Sequence, residues 1–273
     1  MKNKIIAALC ASASLLCAES VLTGDQAADW VRFGGKGSVT EVEADGSKAV
    51  EVKGDIRIRT KKMVEIDPAK TYRLSAQVRV APDAEAGRFY MGLIPFDAKG
   101  KRIAPEEVTD VSKSETKLTN EVKVGDVVII IKDGASWKDK GVLAIAFEVD
   151  ESGKLADLPN RSVVAVKSVE KQEDGTAKVT LAGKMKKAYP AGTAVRQHLF
   201  GGMYMYSLAG NAPVPAEWKT FSAVIKGEAA RGVSSKQWWK DTRKASIMVL
   251  ANYRGSEKNA LLLKDVKLEE VTK

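Results

Sequence analysis

Apolar and polar positions alternate with period two along much of the chain. In Thr71–Val80, TYRLSAQVRV, residues Tyr72, Leu74, Ala76, Val78 and Val80 share one face, and Arg73, Ser75, Gln77 and Arg79 share the other. Asp55–Thr60, DIRIRT, repeats the pattern with Ile56 and Ile58 against Arg57 and Arg59. That period marks a half-buried β-strand. Further strands are expected over Gly37–Glu43, Ala49–Lys53, Arg88–Phe96, Gly202–Ser207, Trp218–Lys226, Ser246–Tyr253 and Ala260–Val271. Asp45-Gly46, Asp67-Pro68, Pro82-Asp83 and Lys99-Gly100 supply turns between them. No helix longer than two turns is predicted, and only Pro105–Ser114 has room for a short one. Short strands with such punctuation predict an all-β chain, either a sandwich or a barrel.

From about Lys117 to Gln197 the chain changes character. Short strands are expected over Asp126–Lys132, Val142–Val149, Ser162–Val169 and Ala177–Leu181, with Gly125, Gly134, Gly153, Gly175 and Gly183 between them. Aromatic residues thin out to Trp137, Phe147 and Tyr189. The expected organisation is a large sandwich domain, 19–112 and 199–273, interrupted by a small barrel-like β domain at 113–198. A tandem of two domains is the rival. Insertion is preferred because strands on both sides of the block are needed to complete one sandwich. A loop tolerates such an insertion when its ends lie close together.

The N-terminus changes the picture of where the protein works. Lys2 and Lys4 precede an apolar run, Ile5–Cys17, too short to span a membrane, and small residues follow. This predicts a signal peptide over 1–18, Glu19 at the mature N-terminus, and a secreted protein, extracellular or periplasmic, with no transmembrane segment. A lipid anchor on Cys17 is the alternative, against which stands the bulky Leu16 before it. Both cysteines, Cys10 and Cys17, lie in this segment, so the mature chain has no disulfide and no cysteine metal site. His198 is the single histidine, which excludes a His-rich metal centre, and no G-x-S-x-G elbow accompanies it. Losing Lys2 and Lys4 takes the formal charge from +9 to +7, which favours polyanions. No nucleic-acid motif is present, so nucleic acid is not an expected partner.

Certain segments carry a resemblance. They are ADWVRFGGKGSVTEV (Ala28–Val42), DGSKAVEVKG (Asp45–Gly54), DPAKTYRLSAQVRV (Asp67–Val80), GRFYMGLIPFDAKGKRI (Gly87–Ile103), EWKTFSAVIKG (Glu217–Gly227) and ALLLKDVKLEEV (Ala260–Val271). Together they resemble the jelly-roll, galactose-binding-like carbohydrate-binding modules that accompany xylanases and other glycanases. The resemblance spans roughly residues 21–103 and 201–271 and leaves the insert uncovered. It implies a jelly-roll β-sandwich and a non-catalytic protein whose partner is a polysaccharide, with a glycanase or a cell surface as the setting. It also implies a structural calcium ion, for which Asp265 is the candidate ligand. Family members often carry a second acidic residue just before that position, and here it is Lys264.

A sugar site combines exposed aromatic rings with forked polar side chains. The candidate polar row is Arg57, Arg59, Gln77 and Arg79, with Arg73 beside them, and the candidate platforms are Tyr90, Tyr204 and Tyr206. Asn252 is a further polar contact. Trp238 and Trp239, adjacent in the basic, loop-like stretch SKQWWKDTRK, are not expected to enter one core together, and an exposed ring there marks a binding or interface role. Polar rows and alternate tyrosines also occur on any half-buried sheet. Two functional classes therefore stay open: a secreted glycan-binding protein, with the charge favouring an anionic polysaccharide, and a structural or adhesive protein whose sandwich contacts other proteins. An enzyme would need two carboxylates placed across a cleft, and no motif places them.

Overall fold

The computed structural model describes residues 18–271, so the expected signal peptide over 1–18 and the alternative lipid anchor on Cys17 lie, but for Ala18, outside the described residues. The chain is all-β and its long-range frame is a jelly-roll sandwich. One sheet runs in the order β16 (Lys219–Lys226), β7 (Thr71–Val80), β18 (Ala260–Val271), β4 (Ser47–Lys53), β3 (Ser38–Ala44), with β1 (Ala18–Thr23) on β18. The second runs β15 (Met205–Pro213), β8 (Arg88–Phe96), β17 (Lys244–Ala251), β5 (Ile56–Thr60), β2 (Trp30–Gly35), with β6 (Val64–Glu65) on β17. The alternation forecasts which side chains go inside. Leu74, Ala76 and Val78 of β7 meet Ile56, Ile58, Phe89 and Met91 of the second sheet in one core. Each fully buried Leu, Ile or Phe there is worth ~1.5–3 kcal/mol. The expected helix is a single turn, α1 (Pro105–Val108), with Pro105 at its first position and Glu107 accepting the Ala104 N–H.

Six strands between these parts form a third sheet, ordered β10 (Val128–Ile131), β13 (Ala177–Leu181), β12 (Val163–Lys171), β11 (Leu143–Phe147), β14 (Ala194–Leu199), β9 (Thr116–Lys117). A bridge between Leu118, next to β9, and Ile131 of β10 joins its two ends, so the sheet closes on itself. Closure joins the two end strands, β9 and β10, although the start of β12 runs on past its ladder with β13. Its interior holds its own apolar cluster around Ile131, Ile145, Phe147 and Val179. The two connections to the sandwich run side by side: Val111 N–H donates to Gln197 C=O at 2.8 Å, and Leu199 N–H to Thr109 C=O at 2.9 Å. Arg161 reaches back across the junction to the carboxylates of Asp97 and Glu107 and to the Arg102 carbonyl.

Candidate functional site

The outer face of the second sheet carries aromatic rings where an ordinary solvated sheet carries polar residues. β8 turns Arg88, Tyr90, Ile94 and Phe96 to this side while Phe89, Met91 and Leu93 enter the core. On β5 the same alternation turns Arg57 and Arg59 outward. β15 pairs with β8 at Met205↔Leu93 and again at Ala209↔Met91, so it spends four residues where β8 spends two. That bulge lifts Tyr206 out of the ladder and re-aims it. Gly92 permits the approach, because a Cβ there would lie 1.8 Å from the Met205 carbonyl.

Four tyrosines meet on this face. Tyr90 lies 4.9 Å from Tyr206 and 5.1 Å from Tyr253, and Tyr204 lies 6.1 Å from Tyr206, all between ring centroids. Phe33 of β2 packs edge-on against Tyr204 at 5.9 Å. The rings border two adjoining cavities that share Tyr90 and Tyr253. One, of about 380 Å³, is lined by Arg57, Met203, Tyr204 and Tyr206; the other, of about 540 Å³, by Arg88, Asn211, Arg254 and Asn259. No carboxylate lines either one. Arg102 stacks 4.6 Å from the Tyr204 ring and donates to the Met203 carbonyl at 2.6 Å, which fixes that platform. Arg88 is held by Asn211, through Nε at 3.1 Å to its side-chain oxygen. The Arg57 Nε is buried with no partner among the described residues. Burial pushes the Tyr206 hydroxyl up to about 12, so this ring is neutral at physiological pH. The face therefore offers apolar ring surface with forked cationic groups at its margin.

Of the residues singled out in the sequence, Arg57, Tyr90, Tyr204 and Tyr206 come together here. Arg59 shares the face but lines neither cavity and donates to the neighbouring Thr60 carbonyl. Gln77 and Arg79 do point outward, but from β7, on the opposite side of the sandwich. There Gln77 donates to Asp265 at 2.7 Å, and Arg79 pairs with Asp45 at 3.1 Å and covers the Trp218 ring at 5.0 Å. Tyr253, Arg88 and Arg102 were not singled out. Arg88 and Tyr90 alternate on one strand, so their shared face was readable. Tyr253 was not, since Asn252 adopts φ 51° and breaks the strand parity.

Two expectations are corrected. Trp238 and Trp239 are both fully buried in the sandwich core. They lie in a loop as expected, but the loop folds back over the sandwich, so two neighbouring rings do enter one core. A parallel bridge from Glu228 to Trp238 folds this loop over the core, with Trp238 edge-on to Tyr72 at 5.5 Å and Trp239 donating to the Ser234 carbonyl at 3.0 Å. Asn252 is equally buried and donates to the carbonyls of Val52, Gly54 and Asn259, pegging three segments together. Asp265 is exposed and its side chain accepts from Gln77. Its neighbour Asp25 accepts the Val266 N–H at 2.8 Å, and the described residues hold no group of three or more acidic or imidazole ligands. His198 is buried between the Glu106 carbonyl, 2.7 Å from Nδ1, and the Arg196 guanidinium, 3.1 Å from Nε2.

No family model matches the sequence, and no curated protein matches it. Several solved structures are similar in fold. The xylan-binding CBM22-1 domain of Paenibacillus barcinonensis Xyn10C aligns over 95% of this chain and 99% of its own, at 8% identity and TM-score 0.37. The family 11 carbohydrate-binding module of the Clostridium thermocellum cellulase Lic26A-Cel5E aligns over 95% and 97%, at 9% identity and TM-score 0.34. A carbohydrate esterase, vb_24B_21 of bacteriophage phi24B, aligns over 94% and 100%, at 12% identity and TM-score 0.28. What those proteins bind or cleave is a property of theirs. The sheet order defines this chain as a jelly-roll β-sandwich protein.

Proposed function

We propose that the aromatic face of the second sheet binds an anionic polysaccharide outside the cytoplasm, without catalysing its cleavage. The observation that carries this reading is the joining of two cavities across Tyr90 and Tyr253, with arginines and no carboxylates around them. Sugar rings present apolar C–H faces that stack on tyrosine, and their carboxylates or sulfates suit a guanidinium fork. The signal-like segment Lys2–Ala18 supports export.

Titration calorimetry with uronic-acid, sulfated and neutral oligosaccharides tests it. Anionic chains should bind, and Tyr90→Ala or Tyr206→Ala should each weaken binding about tenfold or more, equivalent to about 1.4 kcal/mol. Equal binding of neutral chains removes the electrostatic part. No heat with any glycan, from a folded sample, would transfer the face to the structural or adhesive alternative.

A further inference from the structure

A second groove lies in the small barrel, away from the tyrosines. It has a volume of about 580 Å³ and runs between β12 and the segment 182–189. One wall is a stretch of open strand edge. Phe147 N–H donates to the Ser162 carbonyl, and the pairing continues through Ile145↔Val164 and Leu143↔Val166. In an antiparallel ladder alternate residues bond the same neighbour. Val163 and Ala165 therefore turn their backbone groups away from β11. The Ala165 carbonyl is taken by Ala182 N–H at 2.9 Å. The ladder with β13 ends at Val166↔Leu181, so no strand stands opposite Val163. Its N–H and C=O open into the groove.

The other wall is basic and fixed. Met185 is buried and tied at 2.9 Å by its N–H to the Asp126 carbonyl and by its own carbonyl to Gly125 N–H. That pinning turns Lys184 and Lys186 to the surface. Arg161 and Lys187 border the groove too, but Arg161 is paired with Asp97 and Glu107 and Lys187 with Glu148 at 2.8 Å, so the charge left to a ligand is that of Lys184 and Lys186; no carboxylate lines the groove. Tyr189, stacked on Phe147 at 4.3 Å, forms part of the floor.

We propose that this groove binds an extended acidic peptide segment of a partner protein, which adds as a strand to Val163 and sets acidic side chains against Lys184 and Lys186. An unpaired edge offers both a donor and an acceptor to a peptide backbone, and the rim supplies the complementary charge.

The test uses the intact protein and a fluorescein-labelled hexapeptide alternating Val and Glu, read by anisotropy at low salt. The peptide should bind and should slow hydrogen exchange of the Val163 amide at least tenfold. The double variant K184E/K186E, with an unchanged circular dichroism spectrum, should weaken binding about tenfold. The same peptide N-methylated at alternate residues should fail to bind the unaltered protein. Equal binding of the methylated peptide, or a Val163 amide that exchanges as fast with peptide as without it, overturns the added strand. A sulfated disaccharide that binds here while the peptide does not overturns the peptide and makes this an anionic-glycan site. Neither result bears on the tyrosine face, which the Tyr90→Ala and Tyr206→Ala titrations judge alone.

Discussion

Trp238 and Phe147 are both fully buried rings, yet they belong to cores that share no residue. The sandwich buries Trp238 between two sheets whose edges stay open, and the barrel buries Phe147 inside a sheet closed by the Leu118–Ile131 bridge. Polar contacts cross between them: Arg161 clamps Asp97 and Glu107, and Asn160 N–H donates to the Glu107 carbonyl at 2.8 Å. Apolar burial scales with area and is insensitive to direction, whereas charged contacts need geometry and give modest net stability. The two bodies should therefore be able to lose stability separately while remaining aligned.

The strongest way to break this comparison is to empty each core in turn. Trp238→Ala and Phe147→Ala should each cost ~3–5 kcal/mol through the cavity left behind. Hydrogen exchange of sandwich amides such as Leu74 and barrel amides such as Ile145 should show the loss confined to the altered body. A parallel loss in both would make sandwich and barrel one cooperative unit.

The junction gives the next largest effect. Burial, with the Arg196 charge beside it, pushes His198 from its ordinary 6.5 down to about 4, although the Asp110 and Asp157 carboxylates pull the other way. The unfolded chain then takes up a proton near pH 6.5 and the folded one only near pH 4. The contribution of His198 should be full above pH 6.5, fall as pH drops to about 4, and be lost below that. The loss is a few kcal/mol, about 3 by the linkage of one pKa unit to 1.36 kcal/mol. Urea midpoints measured from pH 7 to 4 check this, and His198→Gln should flatten that part of the profile.

Where period two decides the outcome, the sequence was readable. β7, β8 and β18 occupy the expected spans, and Arg57 and Tyr90 face the expected way. Parity tells inside from outside, but it does not say which sheet a strand joins. That is why Gln77 and Arg79 were grouped with Arg57 when they stand across the sandwich. It fails where the backbone leaves the ladder. The Trp238-Trp239 loop is held by one bridge rather than a sheet, and Asn252 with φ 51° redirects Tyr253. The strand expected at Gly202–Ser207 is Met205–Pro213, because Arg102 and the bulge set its start. The calcium ligand expected at Asp265 came from resemblance alone, and in the fold that carboxylate accepts from Gln77.

The smallest expected effect separates the two outer faces of the sandwich. On β7, Arg79 is partnered by Asp45 and stacked on Trp218, and Lys264 approaches the same ring at 4.3 Å. Its charge is thus answered within the protein, and the indole is covered by cations rather than open to a sugar. On β5, Arg57 borders an open cavity and its Nε has no partner among the described residues. Arg79→Ala should cost under about 1 kcal/mol of stability, since the Asp45 end of the pair is exposed, and it should leave glycan affinity unchanged. Arg57→Ala should leave stability within about 0.5 kcal/mol and weaken an anionic oligosaccharide at low salt. That weakening should shrink as salt rises, because exposed charges are screened over about 8 Å at physiological ionic strength. Calorimetric titrations of both variants at two salt concentrations decide it. If Arg79→Ala lowers affinity as much as Arg57→Ala, the ligand is gripped on both faces and the tyrosines are not the whole site.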